Sequence, residues 1–311
     1  MAADILVTGS CNMDLITYAP RLPLPGETIH GTRYVTGFGG KGSNQCVAAA
    51  KLGAKASMIA KVGNDAYGKE YIENFKALGI DTGHVTMTED ACTGVAPIVV
   101  GADGTNSIII VPGANLHLTE SDIDAASSLF QSAKVMLCQL EISPESTLCA
   151  LRKAKGAGVF TIFNPAPAPQ KELDPDFYKN SDIVCPNETE ASTITGLEVT
   201  DVESAKVAVP HLLKMGCGIA IITLGKDGCV FASKEREEPC WVKGEKVNAV
   251  DTTGAGDAFA GALAFFFAKF PHLPLEEKLR RSCYVASDSV CREGTQKSYP
   301  YRRDLPEEIF A

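Results

Sequence analysis

Four short, almost wholly apolar runs constrain this chain most: Val135–Gln139, Val159–Phe163, Ile183–Cys185 and Ile219–Leu224. Each has the length of a strand, and a strand that is apolar on both sides needs cover on both sides. Helical patterns near Pro144–Lys155, Glu188–Thr195 and Ser204–Met215 supply that cover. The same alternation runs through the first half, with strands at Ile5–Thr8 and Ser57–Val62 and helices near Asn44–Leu52, Tyr67–Leu78 and Glu120–Gln131. A further strand is expected at Cys229–Ala232. Strand–helix–strand alternation predicts a layered α/β fold around a mostly parallel sheet.

Two stretches break the rhythm. Residues 13–38 are rich in Pro, Gly, Thr and Tyr and read as short strands. Residues 93–112 read as two strands, Ala96–Val100 and Ser107–Val111, turning at Asp103-Gly104, a hairpin signal. Such insertions either extend the main sheet or form a small sheet of their own over a site, and pattern alone leaves both open. The simplest division is a single domain over residues 1–311, with β insertions at about 13–38 and 93–112.

Charge and cysteine content exclude several classes. The chain has 29 Lys+Arg against 38 Asp+Glu, a net charge of −9. That sign argues against nucleic acid and anionic membranes as partners, while allowing a local basic pocket. The longest apolar run, Ala258–Ala268, falls well short of the ~20 residues of a membrane span and suits a central buried helix. The 11 cysteines form no C-x-x-C pair. They are expected to be reduced, mostly buried thiols rather than zinc ligands or disulfides. No signal-peptide pattern opens the sequence, so the cytoplasm, with the nucleus as an alternative, is the expected location.

Two glycine-rich turns carry the chemistry. The later one, Asp251-Thr252-Thr253-Gly254-Ala255-Gly256-Asp257, leads into the apolar helix. A helix N-terminus presents unpaired N–H groups and a partial positive charge, and glycines let an anion approach them. Gly254, Ala255 and Gly256 therefore form a candidate cradle for a phosphoryl group, with the Asp257 carboxylate beside it. Phosphoryl transfer to an alcohol needs both parts: donors for the migrating charge and an acceptor for the hydroxyl proton. A plain helix cap at Asp257 is the alternative, but it would not require the flanking glycines and threonines.

The earlier turn, Gly37-Phe38-Gly39-Gly40-Lys41-Gly42, also fits the dinucleotide pattern G-x-G-x-x-G, with Asp65 further on. That fingerprint belongs after the first strand of a βαβ unit, whereas Ile5–Thr8 runs into Gly9-Ser10-Cys11-Asn12. Lys41 within the turn favours a phosphate or sugar contact. A third turn, Thr223 to Gly228, either lies under a nucleotide or simply joins two strands. Asn12, Asp14 and Glu141 follow predicted strands, at the ends where open α/β sheets bind ligands, and suit a polyhydroxylated ligand.

On these residues the chain resembles the ribokinase-like (PfkB) carbohydrate kinases over essentially its whole length. The resemblance rests on Gly39-Gly40-Lys41-Gly42-x-Asn44 early and Asp251-Thr252-x-Gly254-Ala255-Gly256-Asp257 late. Asn187-Glu188-Thr189-Glu190 and Thr223-Leu224-Gly225 stand between them. It implies a three-layer α/β sandwich with a small β-sheet lid that also builds a homodimer. It implies ATP-dependent phosphorylation of D-ribose at O5, with Asp257 as base and Gly254, Ala255 and Gly256 as anion hole. Asn12, Asp14, Gly40, Lys41, Gly42, Asn44 and Glu141 would hold the sugar. Asn187, the turn Thr223, Leu224, Gly225, Lys226, Asp227 and Gly228, and Gly256 would contact ATP. Glu190 would act on the Mg2+ side through water. Asp251 and Thr253, with Ser289, Arg292, Gly294 and Ser298, would form a K+ site beside the anion hole. Ser43 and Pro112 stand where members commonly carry Ala, and Cys283 where they often carry Asn or His near the adenine. A nucleoside or fructose kinase is the nearest rival. From other classes, an NAD(P)-dependent oxidoreductase and a non-catalytic sugar-binding protein stay open.

Overall fold

The computed structural model describes residues 3–311. Its strands are β1 (Ile5–Thr8), β2 (Asn12–Ala19), β3 (Arg33–Gly39), β4 (Ala56–Gly63), β5 (Asp81–Thr88), β6 (Gly94–Gly101), β7 (Asn106–Ile108), β8 (Val135–Cys138), β9 (Phe160–Phe163), β10 (Ile183–Val184), β11 (Ile219–Thr223), β12 (Cys229–Ser233) and β13 (Cys240–Val242). Nine of them form one sheet in the order β13-β12-β11-β10-β9-β8-β1-β4-β5. From β11 to β5 every pairing is parallel, and β12 and β13 close the other edge antiparallel.

The layering can be read from β1. Successive strand residues face opposite sides, so Ile5 and Val7 enter one buried cluster and Leu6 the other. Helices Lys41–Lys51, Ala255–Lys269 and Leu275–Ser289 cover the first side, and Pro144–Gly156 and Val202–Lys214 cover the second. This is the expected three-layer sandwich. The apolar Ala255–Lys269 helix is buried along nearly its whole length. Gly261 lets it press on the Lys41–Lys51 helix, because a Cβ there would stand 2.5 Å from the Gln45 carbonyl oxygen. Phe265 and Phe266 are fully buried, worth roughly 2–3 kcal/mol each in removed apolar surface. Among the described residues, no helix is long and apolar enough to cross a membrane.

The two insertions form their own sheet, in the order β3-β2-β6-β7. β2 and β6 run parallel from Asn12 beside Gly94 to Ala19 beside Gly101. Polar side chains fix the points where the small sheet leaves the main one. Asp65 accepts bonds from the Thr93 amide and hydroxyl, both at 2.7 Å, and the Gly63 amide donates to the same hydroxyl at 3.0 Å. Asn115 bonds to Cys11, Asn12 and Pro112, tying both crossings together.

Some elements differ from expectation. The helix expected over 120–131 breaks at Ala126 into Glu120–Ala125 and Ser127–Phe130. The strand expected at Ser107–Val111 is shorter, with Val111 only bridging Val95. β5 carries Asp, Thr and His at a sheet edge and so shows no apolar run. The Leu275–Ser289 helix hides its buried stripe in residues that read as polar. Arg281 is buried there because its guanidinium reaches Glu277 and the Ile309 and Ala311 carbonyls.

Candidate active site

The predicted site residues converge at the carboxyl ends of β1, β8, β10 and β11. Gly254 caps the Ala255–Lys269 helix in the left-handed conformation, φ 76°, and a Cβ there would meet the Tyr299 hydroxyl at 2.5 Å. Asp257 follows in the first turn, only 7% exposed. The first turn leaves amides without helical acceptors. Ala255 already donates to the Thr252 carbonyl at 3.2 Å, so the Gly256 amide is the better placed donor for an incoming anion.

The Asp257 carboxylate is held from the facing helix. Asn44 Nδ2 donates to its Oδ2 and Gln45 Nε2 to its Oδ1, each at 3.0 Å. The facing helix begins at Gly40, φ 89°, where a Cβ would lie 2.8 Å from the Asn12 amide nitrogen. Gly42 likewise lets the first turn approach the β1–β2 junction, since a Cβ would stand 2.6 Å from the Ser10 nitrogen. The first glycine turn is thus shaped by close backbone contact with that junction.

Glu141 organises the next layer. Its Oε2 accepts from the Ser10 hydroxyl at 2.6 Å, the Lys41 amide at 2.8 Å and Asn12 Nδ2 at 3.4 Å. Asp14 lies over Gly39. Burial, with the charges of Glu141 and Asp257, pushes its carboxyl up to about 7. Burial pulls the Lys41 ammonium down, but the carboxylates of Asp257, Glu141 and Glu190 outweigh it and leave its pKa raised. Burial also raises Glu190, against the Asn187 amide and the Lys41 charge.

Two cavities meet at the glycine loop. A polar one of about 160 Å³ is lined by Lys41, Asn164, Asn187, Glu190 and the Gly254–Asp257 turn. Asn187 and Glu190 form a reciprocal helix cap there, at 2.8 and 2.9 Å. The larger cavity, about 640 Å³, is walled by Thr223, the Gly225–Gly228 turn, the 243–247 loop, Ala255, Gly256, Phe259 and Cys283. Leu224 is buried beneath that turn. One chamber is sized for a phosphoryl group and the other for the rest of a nucleotide.

A profile of the pfkB family carbohydrate kinases matches residues 2–302. The chain belongs to that family. It is 53% identical to mouse ribokinase over 309 residues, which is 99% of this chain and 95% of that protein. It is 39% identical to a Salmonella typhi deoxyribokinase over 297 residues, 96% of this chain and 95% of that one. Arabidopsis thaliana ribokinase complexed with ribose and ATP superimposes with a TM-score of 0.90 at 31% identity, covering 99% of each chain.

The family removes the oxidoreductase reading, and the structure gives the local reason. In this carbohydrate kinase the Gly37–Gly42 segment is the end of β3, an antiparallel strand of the small sheet, and the start of the Lys41–Lys51 helix. It does not follow the first strand of a βαβ unit, as a dinucleotide site requires.

Beside the anion turn, Asp251 and Thr253 of the predicted cation set lie against the 289–298 segment that carries the rest. Asp251 accepts from the Thr253 amide at 2.9 Å and hydroxyl at 2.6 Å, and from the Gly294 amide at 2.8 Å. Burial would raise its carboxyl, but these three donors and the Lys297 charge hold it below the usual range. The Ser289 hydroxyl turns back to Ala286 at 2.7 Å, and Arg292 Nε donates to the Ser298 carbonyl at 2.9 Å.

Several polar residues at the site have no motif to announce them. Ser10, Gln45, Asn115, Gln139, Asn164 and Gln296 bond to predicted site residues or to one another. Gln45 and Ser10 flank motif residues, and Gln139 and Asn164 stand at the ends of predicted strands, all weak signals; no signal marks Asn115 or Gln296. Ser43, common Ala in the family resemblance, donates to the Gly39 and Gly40 carbonyls at 2.6 and 2.9 Å and accepts from Tyr71 at 2.8 Å.

Proposed function

We propose that this chain transfers the γ-phosphoryl group of ATP to O5 of D-ribose, giving ribose 5-phosphate and ADP. One observation carries the reading: Ala255 and Gly256 wall both cavities, and Asp257 follows them in the same helical turn. A nucleotide in the large cavity would bring its terminal phosphate to the turn that holds the base. Asp257 takes the O5 proton as O5 bonds to the γ-phosphorus and the bond to the bridging oxygen breaks. The Gly256 amide and the Lys41 ammonium receive the charge that develops on the phosphoryl oxygens. Asn12, Asp14, Asn44 and Glu141 hold the sugar hydroxyls, and the Thr223–Gly228 turn supports the nucleotide.

The residues fit the expected ions in different ways. Mg2+ would stand with the phosphates near Glu190, whose carboxylate reaches it through water. K+ would be held by the Asp251 carboxylate, Thr253 and carbonyls of the 289–298 segment. An all-oxygen donor set with an ionised Asp251 suits such a cation, and the Ser289 and Arg292 side chains contribute nothing to it. The ions supply charge neutralisation and loop order. The small sheet serves as a lid through which two chains pair, supported by its exposed Ile108, Ile109, Ile110 and Val111 beside the β7 edge. The cytoplasm remains the expected location, with the nucleus as the alternative.

A coupled ADP-release assay with ribose, 2-deoxyribose, fructose and adenosine tests the reading. Ribose is expected to give the highest kcat/KM, and a higher value for 2-deoxyribose would move the protein beside its deoxyribokinase relatives. The same assay at constant ionic strength, with K+ replaced by Na+ or tetramethylammonium, tests the cation site. Equal rates in all three salts would remove it.

A further inference from the structure

An ionised carboxylate only accepts hydrogen bonds, so an amide that faces one must present its nitrogen. Gln45 does so: its Nε2 donates to Asp257 Oδ1 and to Asn164 Oδ1, each at 3.0 Å. Its Oε1 then points the other way, in a fully buried side chain, and needs a donor there. Gln139 Nε2 is that donor, at 2.6 Å. Gln139 is buried at the end of β8, and its own Oε1 has no partner among the described residues. A buried acceptor left unpaired is unfavourable, so Gln139 is oriented for its one bond to Gln45 rather than for its own satisfaction. On the other side, Asn44 repeats the pattern: its Nδ2 meets Asp257 and its Oδ1 accepts from Gln296 at 3.1 Å.

We propose that Gln45 and Gln139 are positioning residues for phosphoryl transfer: Gln139 anchors the Gln45 amide from its oxygen side, and Gln45 fixes the carboxylate that receives the substrate proton. This rests on the reading of Asp257 as the base. With one amide on each carboxylate oxygen, the group cannot rotate, and each oxygen keeps a lone pair for the hydroxyl. Asn164, whose Nδ2 donates to the Cys185 carbonyl, also presents its oxygen to Gln45 Nε2. Without Gln139, Gln45 Oε1 loses its donor in a buried site, and the side chain is free to shift and carry the Asp257 carboxylate with it.

The test is steady-state kinetics on Gln139→Met, Gln45→Met and the double variant, with Gln139→Asn in reserve if Gln139→Met does not fold. Each single variant is expected to lose about tenfold in kcat, with the KM for ribose and for ATP within about twofold, because misplacing a reacting group costs rate rather than affinity. The double variant is expected to match Gln45→Met alone, since Gln139 acts only through Gln45. Gln139→Met at wild-type kcat, losses that multiply in the double variant, or a parallel rise of both KM values would each overturn the proposal. Asp257→Asn separates the two readings. If it stays active, the base assignment fails. If it is inactive while Gln139→Met is normal, only the relay fails.

Discussion

Two buried aspartates, ten residues apart, live in opposite electrostatic worlds. Asp4 lies just before β1, at the amino end of the sheet, where Lys269 and Lys134 reach it at 2.9 and 3.0 Å and the Lys55 amide at 3.1 Å. Burial alone would raise its carboxyl, but these partners hold it at about 2. Asp14 lies on β2, past the carboxyl end of β1, and is pushed up to about 7 by burial and by two neighbouring carboxylates. One end of the sheet pairs its charges. The other gathers Asp14, Glu141, Glu190 and Asp257 around Lys41 and leaves the imbalance for ligands to relieve.

The signs of the two contributions differ. Asp4, with a depressed pKa, stabilises the fold above its unfolded value of 3.8, by roughly 2 kcal/mol, and loses this as pH falls toward about 2. Asp14, with a raised pKa, favours the fold below 3.8 and loses that advantage, roughly 4 kcal/mol, as pH rises through about 7.

The largest effect should come from the ligand end. Asp257→Asn is expected to lower kcat by ~10²–10⁴-fold with ATP affinity nearly unchanged, read by single-turnover assay and nucleotide titration. Near-normal turnover would reduce Asp257 to a helix cap. Asp14→Asn should raise the ribose KM by about tenfold or more, through a lost charged acceptor, while raising the Tm of the unliganded protein at pH 8. That gain in Tm should shrink at pH 5, where wild-type Asp14 is already protonated. A lower Tm at both pH values would mean that Asp14 is a structural acceptor like Asp4.

Asp4→Asn should do the reverse: about 1–3 kcal/mol less stable at pH 7 by urea denaturation, with unchanged kcat and KM. The deficit should narrow as pH drops from 4 toward 2. Any sizeable change in KM would show that the two ends are coupled. The smallest effect is a shift in midpoint. The wild-type ribose KM is expected to fall as pH rises through about 7, as Asp14 ionises, and in Glu141→Gln that midpoint should move down. An unmoved midpoint would separate Asp14 from Glu141.

How legible each end was follows from how its residues are marked. Asp257 and Gly254 were readable because a phosphate cradle needs glycines next to a helix start, a local requirement that leaves a contiguous motif. Asn12, Asp14 and Glu141 were readable from the pattern as polar groups after strands, and the motif resemblance grouped them as a sugar site; the hydrogen bond from Asn12 to Glu141 was not readable. The partners of Gln139, Asn164 and Gln296 were not readable, since an amide that bonds across more than 90 residues has no local pattern. The Asp4 hub was equally silent, because surface lysines are everywhere and only packing selects Lys134 and Lys269 as its partners.

The sequence by itself determined the layered α/β fold, since apolar strands between amphipathic helices have few other ways to bury both faces. It also determined the chemistry of the two glycine turns, because backbone conformation and close approach demand residues without side chains. Strand pattern left open whether the insertions at 13–38 and 93–112 join the main sheet, the motif resemblance implied a separate one, and only the tertiary structure decided its strand order, β3-β2-β6-β7. The inserted strands would satisfy either sheet, and β2–β6 pairing spans about 80 residues of chain. The packing of the Lys41–Lys51 helix on the Ala255–Lys269 helix likewise decided which amides hold Asp257. Hydrogen-bond partners far apart in the chain are chosen by where elements land, and nothing short-range encodes that choice.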